Sequence, residues 1–330
     1  MILITGATGL VGSHLAMHLL ENDQKIRAIY RDEKSIVKTK NLFEIYNKLY
    51  LFEKINWVKA DINDISALDI AFADIEQVYH CAALISFDPK EEEKLRKTNI
   101  EGTANIVNFC LSKNVKKLCF VSSIAALGDL LDHEKIITED TEWNPEKSHS
   151  FYAISKYGAE IEVFRGQQEG LNVIIVNPGL ILGAGFFDSG SGEIFSKVKK
   201  GLSYYTNGIT GFVSVNDLVK SMFLLMKSDI HGEKFVLISE NCSYKYILET
   251  ISTSLNVKKP TTKISKFITQ IAWRIDWILA NIFFQKRKIS RDLANSLHNE
   301  DYYSNEKIKQ TLNFEFETVF ETVNKVSKFV

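Results

Sequence analysis

Nowhere in its 330 residues does this chain hold the ~18 uninterrupted apolar residues that a membrane-crossing helix needs. It also lacks the basic start, extended apolar run and small-residue cleavage site of a secretory signal. Instead Met1-Ile2-Leu3-Ile4-Thr5 runs straight into a glycine turn, which reads as a buried first strand. The expected location is the cytoplasm. Proline occurs only four times and cysteine only four times. Cys81, Cys110, Cys119 and Cys242 lie far apart with no CxxC pair, which argues against a disulfide framework and against a zinc site. Reduced core thiols are the expectation. An excess of charge is missing as well: the net is −1, so a globally basic nucleic-acid binder is excluded. With 45% apolar and 25% charged residues the chain can bury a sizeable core, which excludes disorder.

At ~100–200 residues per domain, the length suggests two units or one large unit with an appended lobe. Short β-branched or aromatic runs fall at 2–5, 26–30, 57–59, 77–81, 117–122 and 172–177. Helix-period segments lie between them, for example 11–21, 91–113 and 153–169. Such βαβα alternation predicts the α/β class: a doubly wound parallel sheet covered by helices on both faces, with a smaller C-terminal lobe. The expected division is a first unit over residues 1–178, onto which 211–238 packs back, and a lobe built from 179–210 and 239–330. No internal repeat or low-complexity linker is present.

Thr5-Gly6-Ala7-Thr8-Gly9-Leu10-Val11-Gly12 follows the first strand and opens a helix. In GxxGxxG spacing, Gly6 allows a tight turn, Gly9 lets the backbone approach a pyrophosphate, and Gly12 permits close helix–sheet packing. Free amides at the helix start, over Thr8, Leu10 and Val11, would hold the anion. Between a strand and a helix, this spacing points to a dinucleotide. The second strand ends in Tyr30-Arg31-Asp32. A carboxylate at that end would select NAD, whereas a guanidinium suits a 2′-phosphate. Tyr30 takes the carboxylate position and Arg31 follows, so NADP is preferred. NAD stays open, because a one-residue slip would bring Asp32 to the ribose.

YxxxK matches occur at Tyr30, Tyr50, Tyr152 and Tyr303, so the motif alone decides nothing. Only Tyr152 lies on a predicted helix that follows a buried strand ending in Val121-Ser122-Ser123. Lys156, four residues on, shares its face. A phenol of pKa ~10 is a poor base near neutrality, and a neighbouring ammonium favours the phenolate. Tyr152 would move a proton to or from a carbonyl oxygen that Ser123 holds by a hydrogen bond.

On these motifs, and on Ala60-Asp61-Ile62, His80-Cys81-Ala82-Ala83, Asn99-Ile100-Glu101-Gly102-Thr103, Asn177-Pro178-Gly179 and 212–217, the chain resembles the extended short-chain dehydrogenases/reductases. These are also called the NAD-dependent epimerase/dehydratase family. The likeness is nearest to the dihydroflavonol reductase and 3β-hydroxysteroid dehydrogenase branch. It covers residues 1 to 240 strongly and the rest loosely. The resemblance implies that Asp61 and Ile62 contact adenine, that Ala82 and Ala83 line the cofactor, that Asn99 lies near the active site on the cofactor side, and that Pro178 borders the nicotinamide amide. By the same likeness the strand-end hydroxyl is Ser123, paired with Gly128, and not Ser122. The family's dehydratases carry a carboxylate pair after that hydroxyl, whereas Ile124 and Ala125 stand here, which argues against elimination chemistry.

The reading is thus an NAD(P)-dependent oxidoreductase that interconverts a carbonyl and a secondary alcohol on a small apolar substrate. The alternative is a nucleotide-sugar epimerase with tightly held NAD, whose diphosphate Lys286, Arg287 and Lys288 would bind. A non-enzymatic cofactor sensor is disfavoured by the intact Ser123, Tyr152 and Lys156. Three weaker signals remain. His14 and His18 have a zinc-compatible spacing but no third ligand, so a packed helix is preferred and no metal is expected. The stretch 34–54 is longer than usual between the second and third strands and has no functional reading. Residues 263–291 carry seven Lys or Arg and one acid, a charge of +6 that leaves −7 for the rest, and hydrophobics at helical spacing. A membrane-surface helix and a lobe helix over the cleft or at a dimer contact both fit. The lobe helix is preferred, because Arg274 and Asp276 interrupt the apolar face. A homodimer is a default expectation.

Overall fold

The computed structural model describes residues 1–282, Arg287 and 290–330. Six strands arise from the apolar runs: β1 (Ile2–Thr5), β2 (Ile26–Tyr30), β3 (Asn56–Lys59), β4 (Gln77–His80), β5 (Lys117–Val121) and β6 (Val173–Pro178). Every residue of β1, β5 and β6 is buried. Strands apolar on both faces need cover on both, and the chain supplies it alternately. Ile2, Ile4, Tyr79, Cys119, Ile174 and Val176 enter one core, while Leu3, Val78, Leu118, Phe120, Val173 and Ile175 enter the other.

Helices α1 (Leu10–Glu21), α2 (Glu33–Ile45), α3 (Leu49–Phe52) and α4 (Ile65–Ala71) connect the first four strands. After β4, the stretch 91–113 that reads as one helix is divided. A short α5 (Glu92–Leu95) passes through a π-helical turn, Arg96–Glu101, into α6 (Gly102–Ser112). The next crossover is α7 (Phe151–Gln168), whose Ser150 caps the Ala153 amide.

Past β6 the chain forms β7 (Leu180–Leu182), α8 (Glu193–Lys199), β8 (Tyr204–Tyr205), β9 (Ile209–Ser214), α9 (Val215–Lys227), β10 (Glu233–Leu237), β11 (Glu240–Ser243), α10 (Tyr244–Ser254) and β12 (Thr262–Lys263). β10 pairs with β6 and completes a seven-stranded parallel sheet, in the order β10-β6-β5-β4-β1-β2-β3. The sheet order reverses between β1 and β4, and such a switch point is where open α/β sheets bind ligands. Of the return segment 211–238, residues 211–214 belong to β9, which lies between β7 and β11 in a separate three-stranded sheet. The part that packs back therefore begins at Val215, whose helix α9 lies against α1.

The C-terminal elements are α11 (Lys266–Ile282), α12 (Arg291–Ser296), α13 (Glu306–Leu312) and α14 (Val319–Ser327). Residues 239–330 are not all lobe: Ile308 of α13 is fully buried in the first unit's core, and Lys307 lies 5.0 Å from the Phe235 ring of β10. The expectation that 263–291 packs its apolar face over the cleft is not what the helix shows: most of that face is exposed. α11 packs on α12, with Gln270 Nε2 donating to Asn295 Oδ1 at 2.8 Å, and Thr269 Oγ1 lies 3.0 Å from Nε2 of His298, just beyond α12. Its large aliphatic residues, with Phe267 and Trp277, face outward, while Ala280 is buried and Trp273 half-buried on the protein side. Lys286 and Lys288 lie outside the described residues.

The stretch 34–54 becomes α2 and α3, and α2 buries Thr39, Leu42 and Phe43. His14 is buried edge-on against Tyr46, and burial pushes its pKa down to about 4. His18 packs on Phe223. Among the described residues no group of three His, Cys, Asp or Glu is placed to hold a metal ion, and no helix is long and apolar enough to cross a membrane.

Candidate active site

The candidate residues gather at the carboxyl edge of the parallel sheet because each follows a strand. The glycine turn follows β1, Arg31 follows β2, Asp61 and Ile62 follow β3, Ala82 and Ala83 follow β4, Ser123 follows β5 and Pro178 ends β6. Gly6 has φ +68°, in the left-handed region that favours glycine. A Cβ on Gly12 would lie 2.3 Å from the Gly6 carbonyl oxygen, so the turn can close only on glycine there. Gly9 differs: its φ of −103° suits any residue, and a Cβ would meet nothing nearer than the Gly6 oxygen at 3.5 Å. The protein's own packing does not require glycine at this position. The space beside Gly9 opens at the start of α1, whose amides receive no side-chain cap and whose first turn has no acid. That is a cradle for an anion, and it fits the pyrophosphate of a dinucleotide.

Two supports of this cradle carry no sequence signal. Thr39, from α2, donates its hydroxyl to the Ala7 carbonyl at 3.1 Å, beside the Ser13 hydroxyl, which donates to the same oxygen at 3.0 Å. On the other side a buried chain of hydrogen bonds runs from Ala82 to Asn99. The Ala82 amide donates to Thr5 Oγ1 at 3.1 Å, Thr5 Oγ1 lies 2.6 Å from His80 Nδ1, and His80 Nε2 lies 3.0 Å from Thr103 Oγ1. Thr103 donates onward to the Asn99 carbonyl. Its oxygen must therefore accept from His80, which puts the ring proton on Nε2. Burial, with the Lys156 charge, drives the pKa of His80 down to about 3 and keeps the ring neutral.

Arg31 is exposed and lies 3.9 Å from Asp61 Oδ2. The Asp32 carboxylate is engaged as the N-cap of α2, accepting from the Lys34 amide at 3.1 Å. Asp61 Oδ1 accepts from the Asn63 amide, and the buried Ile62 gives its carbonyl to Asn105. Asn99 reaches the site indirectly. Its side chain bonds the Leu84 amide at 2.7 Å, the Leu84 carbonyl at 2.9 Å and Ser155 Oγ at 2.9 Å, thereby tying the loop after β4 to α7.

Tyr152, in the first turn of α7, shares a hydrogen bond with Ser123. Its ring lies 5.8 Å from that of Phe87, which is half-exposed on the loop after β4. Ser123 also accepts from the Ala125 amide at 3.1 Å, which fixes the strand end. The two strand-end serines diverge: Ser122 donates inward to Glu160. Lys156 is fully buried and donates to the Val121 carbonyl at 2.7 Å, with its ammonium 4.5 Å from the Phe120 ring. Burial lowers its pKa to about 8, against the opposing pull of Glu160 and Cys81. Burial raises the pKa of Tyr152, and the bond to Ser123 offsets this in part. Near neutrality the phenol is protonated.

Glu160 escapes sequence reasoning. It stands one turn beyond Lys156, is buried, and accepts from Ser122 and, at 2.6 Å, from Asn177 Nδ2. Burial raises its pKa. The i, i+4, i+8 spacing of Tyr152, Lys156 and Glu160 was the available signal.

The sequence model of the NAD dependent epimerase/dehydratase family matches residues 2–237. The chain belongs to that family. It is an enzyme, an oxidoreductase of the extended short-chain type. A Synechocystis protein provisionally named dihydroflavonol 4-reductase is 27% identical over 94% of this chain and 88% of its own. Anthocyanidin reductase of Arabidopsis thaliana is 26% identical over 81% and 88%. The crystal structure of a UDP-glucose 4-epimerase from Thermotoga maritima superposes with a TM-score of 0.79 over 99% and 97%, at 19% identity, and so shares the fold. The family assignment and the open space at Gly9 agree on a nicotinamide dinucleotide as cofactor.

Proposed function

We propose that this enzyme reduces the carbonyl of a small, apolar molecule to a secondary alcohol, with NADPH as the preferred cofactor. The observation that carries the reading is the neutral Tyr152 phenol, bonded to Ser123 and packed beside the half-exposed Phe87. A proton donor, a second hydroxyl aimed at the same place and an apolar wall together suit a carbonyl oxygen that gains charge as it is reduced. Gly6, Gly9 and the first turn of α1 would hold the pyrophosphate, with Ala82, Ala83 and Pro178 along the path to the catalytic residues. When bound, the nicotinamide supplies the hydride. Tyr152 gives its proton to the substrate oxygen, Ser123 holds that oxygen, and the Lys156 ammonium favours the phenolate left behind. The relatives named as reductases support this direction. Ile124 and Ala125 give no carboxylate for elimination.

Arg31 supports the choice of NADPH. It is the first side chain after β2, and the neighbouring Asp32 carboxylate is engaged as the N-cap of α2. Charge-assisted hydrogen bonds contribute about 1.5–3 kcal/mol each. Arg31→Ala should therefore weaken NADPH binding roughly 10- to 100-fold and leave NADH nearly unchanged. Fluorescence titration with both nucleotides checks this; an equal loss for both would assign Arg31 no phosphate role. The reading as a whole is tested on protein purified without added nucleotide. An empty site and turnover of apolar ketones with NADPH would support it. Stoichiometric NAD that survives purification would replace it with the epimerase.

The pH dependence follows from Lys156. An ammonium with a pKa of about 8 is charged below that pH and loses its charge as pH rises through it. The kcat/KM for carbonyl reduction should therefore fall on the alkaline side with a limb near 8. A profile flat to ~10, where an ordinary phenol titrates, would contradict the role given to Lys156.

A further inference from the structure

α11 is inside out. An amphipathic helix of a globular protein turns its apolar stripe to the core and its polar side to water. Here the side that meets the protein buries little apolar surface beyond Ala280 and part of Trp273, and it is bonded through Gln270 to Asn295 of α12 and through Thr269 to His298 just after it. Trp273 Nε1 donates to Gln270 Oε1 at 2.8 Å along that side. The outward side carries Phe267, Ile271, Ile275, Ile278 and Ile282, which are 42–73% exposed and recur at intervals of three and four residues. Trp277 is 51% exposed. These residues form one continuous apolar strip on a helix of 17 residues, about 25 Å long.

We propose that α11 lies flat on an anionic lipid surface, with this strip buried among the acyl chains. Charge decides between lipid and other occupants. Residues 263–291 carry +6 and the remainder of the chain −7, so an anionic surface attracts this segment and turns the rest of the molecule away. Lys263, Lys266, Arg274 and Arg291 are all exposed. Arg274 borders the strip and is exposed; its guanidinium donates to the Gln270 carbonyl at 2.6 Å and lies 4.6 Å from the Trp273 ring, which sets a fixed positive charge at the strip's edge. A second copy of the chain docked through the same strip would bring two such basic segments together. The helix is too short and too interrupted by charge to cross, so it rests in the interface plane.

The test uses the full chain. Sedimentation with vesicles of phosphatidylcholine alone is compared with vesicles that also contain phosphatidylserine. The protein should pellet with the anionic vesicles and be released several-fold by high salt. The double variant Ile271→Glu, Ile278→Glu should stay in the supernatant while binding NADPH as before, which shows that it is folded. Lipids with brominated chains should quench tryptophan emission, and Trp277→Phe should remove most of that quenching. The proposal falls if wild-type protein ignores anionic vesicles at low salt, or if the double variant still pellets. It falls equally if the protein pellets without quenching. It also falls if light scattering finds a vesicle-free dimer that the double variant converts to monomer, since a second copy would then cover the strip.

Discussion

Replacing Tyr152 with phenylalanine should lower kcat for carbonyl reduction by about 10²- to 10⁴-fold, the range over which one positioned proton donor acts. The ring stays, so its packing beside Phe87 is kept. What goes is the hydroxyl that shares a hydrogen bond with Ser123. Lys156 is held by the Val121 carbonyl independently of that hydroxyl, so its position should not change. NADPH affinity should consequently remain within about twofold, because the phenol acts on the reacting oxygen and not on the cradle at Gly9. Stopped-flow turnover and a nucleotide titration on the same preparation separate the two effects. Full turnover by the variant, on a substrate the wild type reduces, would remove Tyr152 from the mechanism. Loss of both turnover and nucleotide binding would point to a damaged fold.

Gly9→Asp should make the protein slightly more stable and nearly abolish its cofactor binding. Gly9 is the N-cap of α1, in an extended conformation with room for a side chain. Aspartate is a favoured N-cap and gains up to about 1 kcal/mol over a poor one, with only a few tenths separating it from glycine. Its carboxylate would take the α1 amides and set a negative charge where the pyrophosphate must sit. Two unit charges ~4 Å apart repel by roughly 4 kcal/mol at an effective dielectric of 20, so a loss of at least ~100-fold in affinity is expected. Thermal melting and isothermal titration read the two consequences. An unchanged NADPH affinity would place the dinucleotide elsewhere. Gly12 offers the contrast: a Cβ there meets the Gly6 oxygen at 2.3 Å, so a substitution at Gly12 should damage the turn itself.

The sheet was legible because its strands are buried on both faces and so appear as unbroken β-branched runs. The glycine turn, and the placing of Tyr152 on a helix near the end of β5, were legible for the same reason: each is tied to a strand end. What stayed hidden depends on partners far away in sequence. Thr39 supports Ala7 across 32 residues, and Glu160 meets Ser122 across 38. The single helix read over 91–113 missed the π-helical turn, because nothing local announces that Asn99 must reach back to Leu84. For α11 the spacing revealed an apolar stripe but not which side the protein would use. The side was settled by Asn295 and His298, whose polar side chains on the neighbouring segment demanded polar partners.

The buried chain from Ala82 through His80 to Asn99 has a direction, since each hydroxyl passes on the proton it does not keep. One extra proton has no place in it. Burial pushes the His80 pKa down to about 3, against the 6.5 of a free imidazole. The unfolded chain therefore binds more protons throughout that interval, and the contribution of this group to stability drains away as pH falls from 6.5 toward 3. At His80, acid thus reaches a buried ring that links Thr5, at the start of the glycine turn, through Thr103 with Asn99, which holds the Leu84 loop. A single protonation event would unfasten both together, and in acid the protein should lose its grip on cofactor and substrate as one event rather than two.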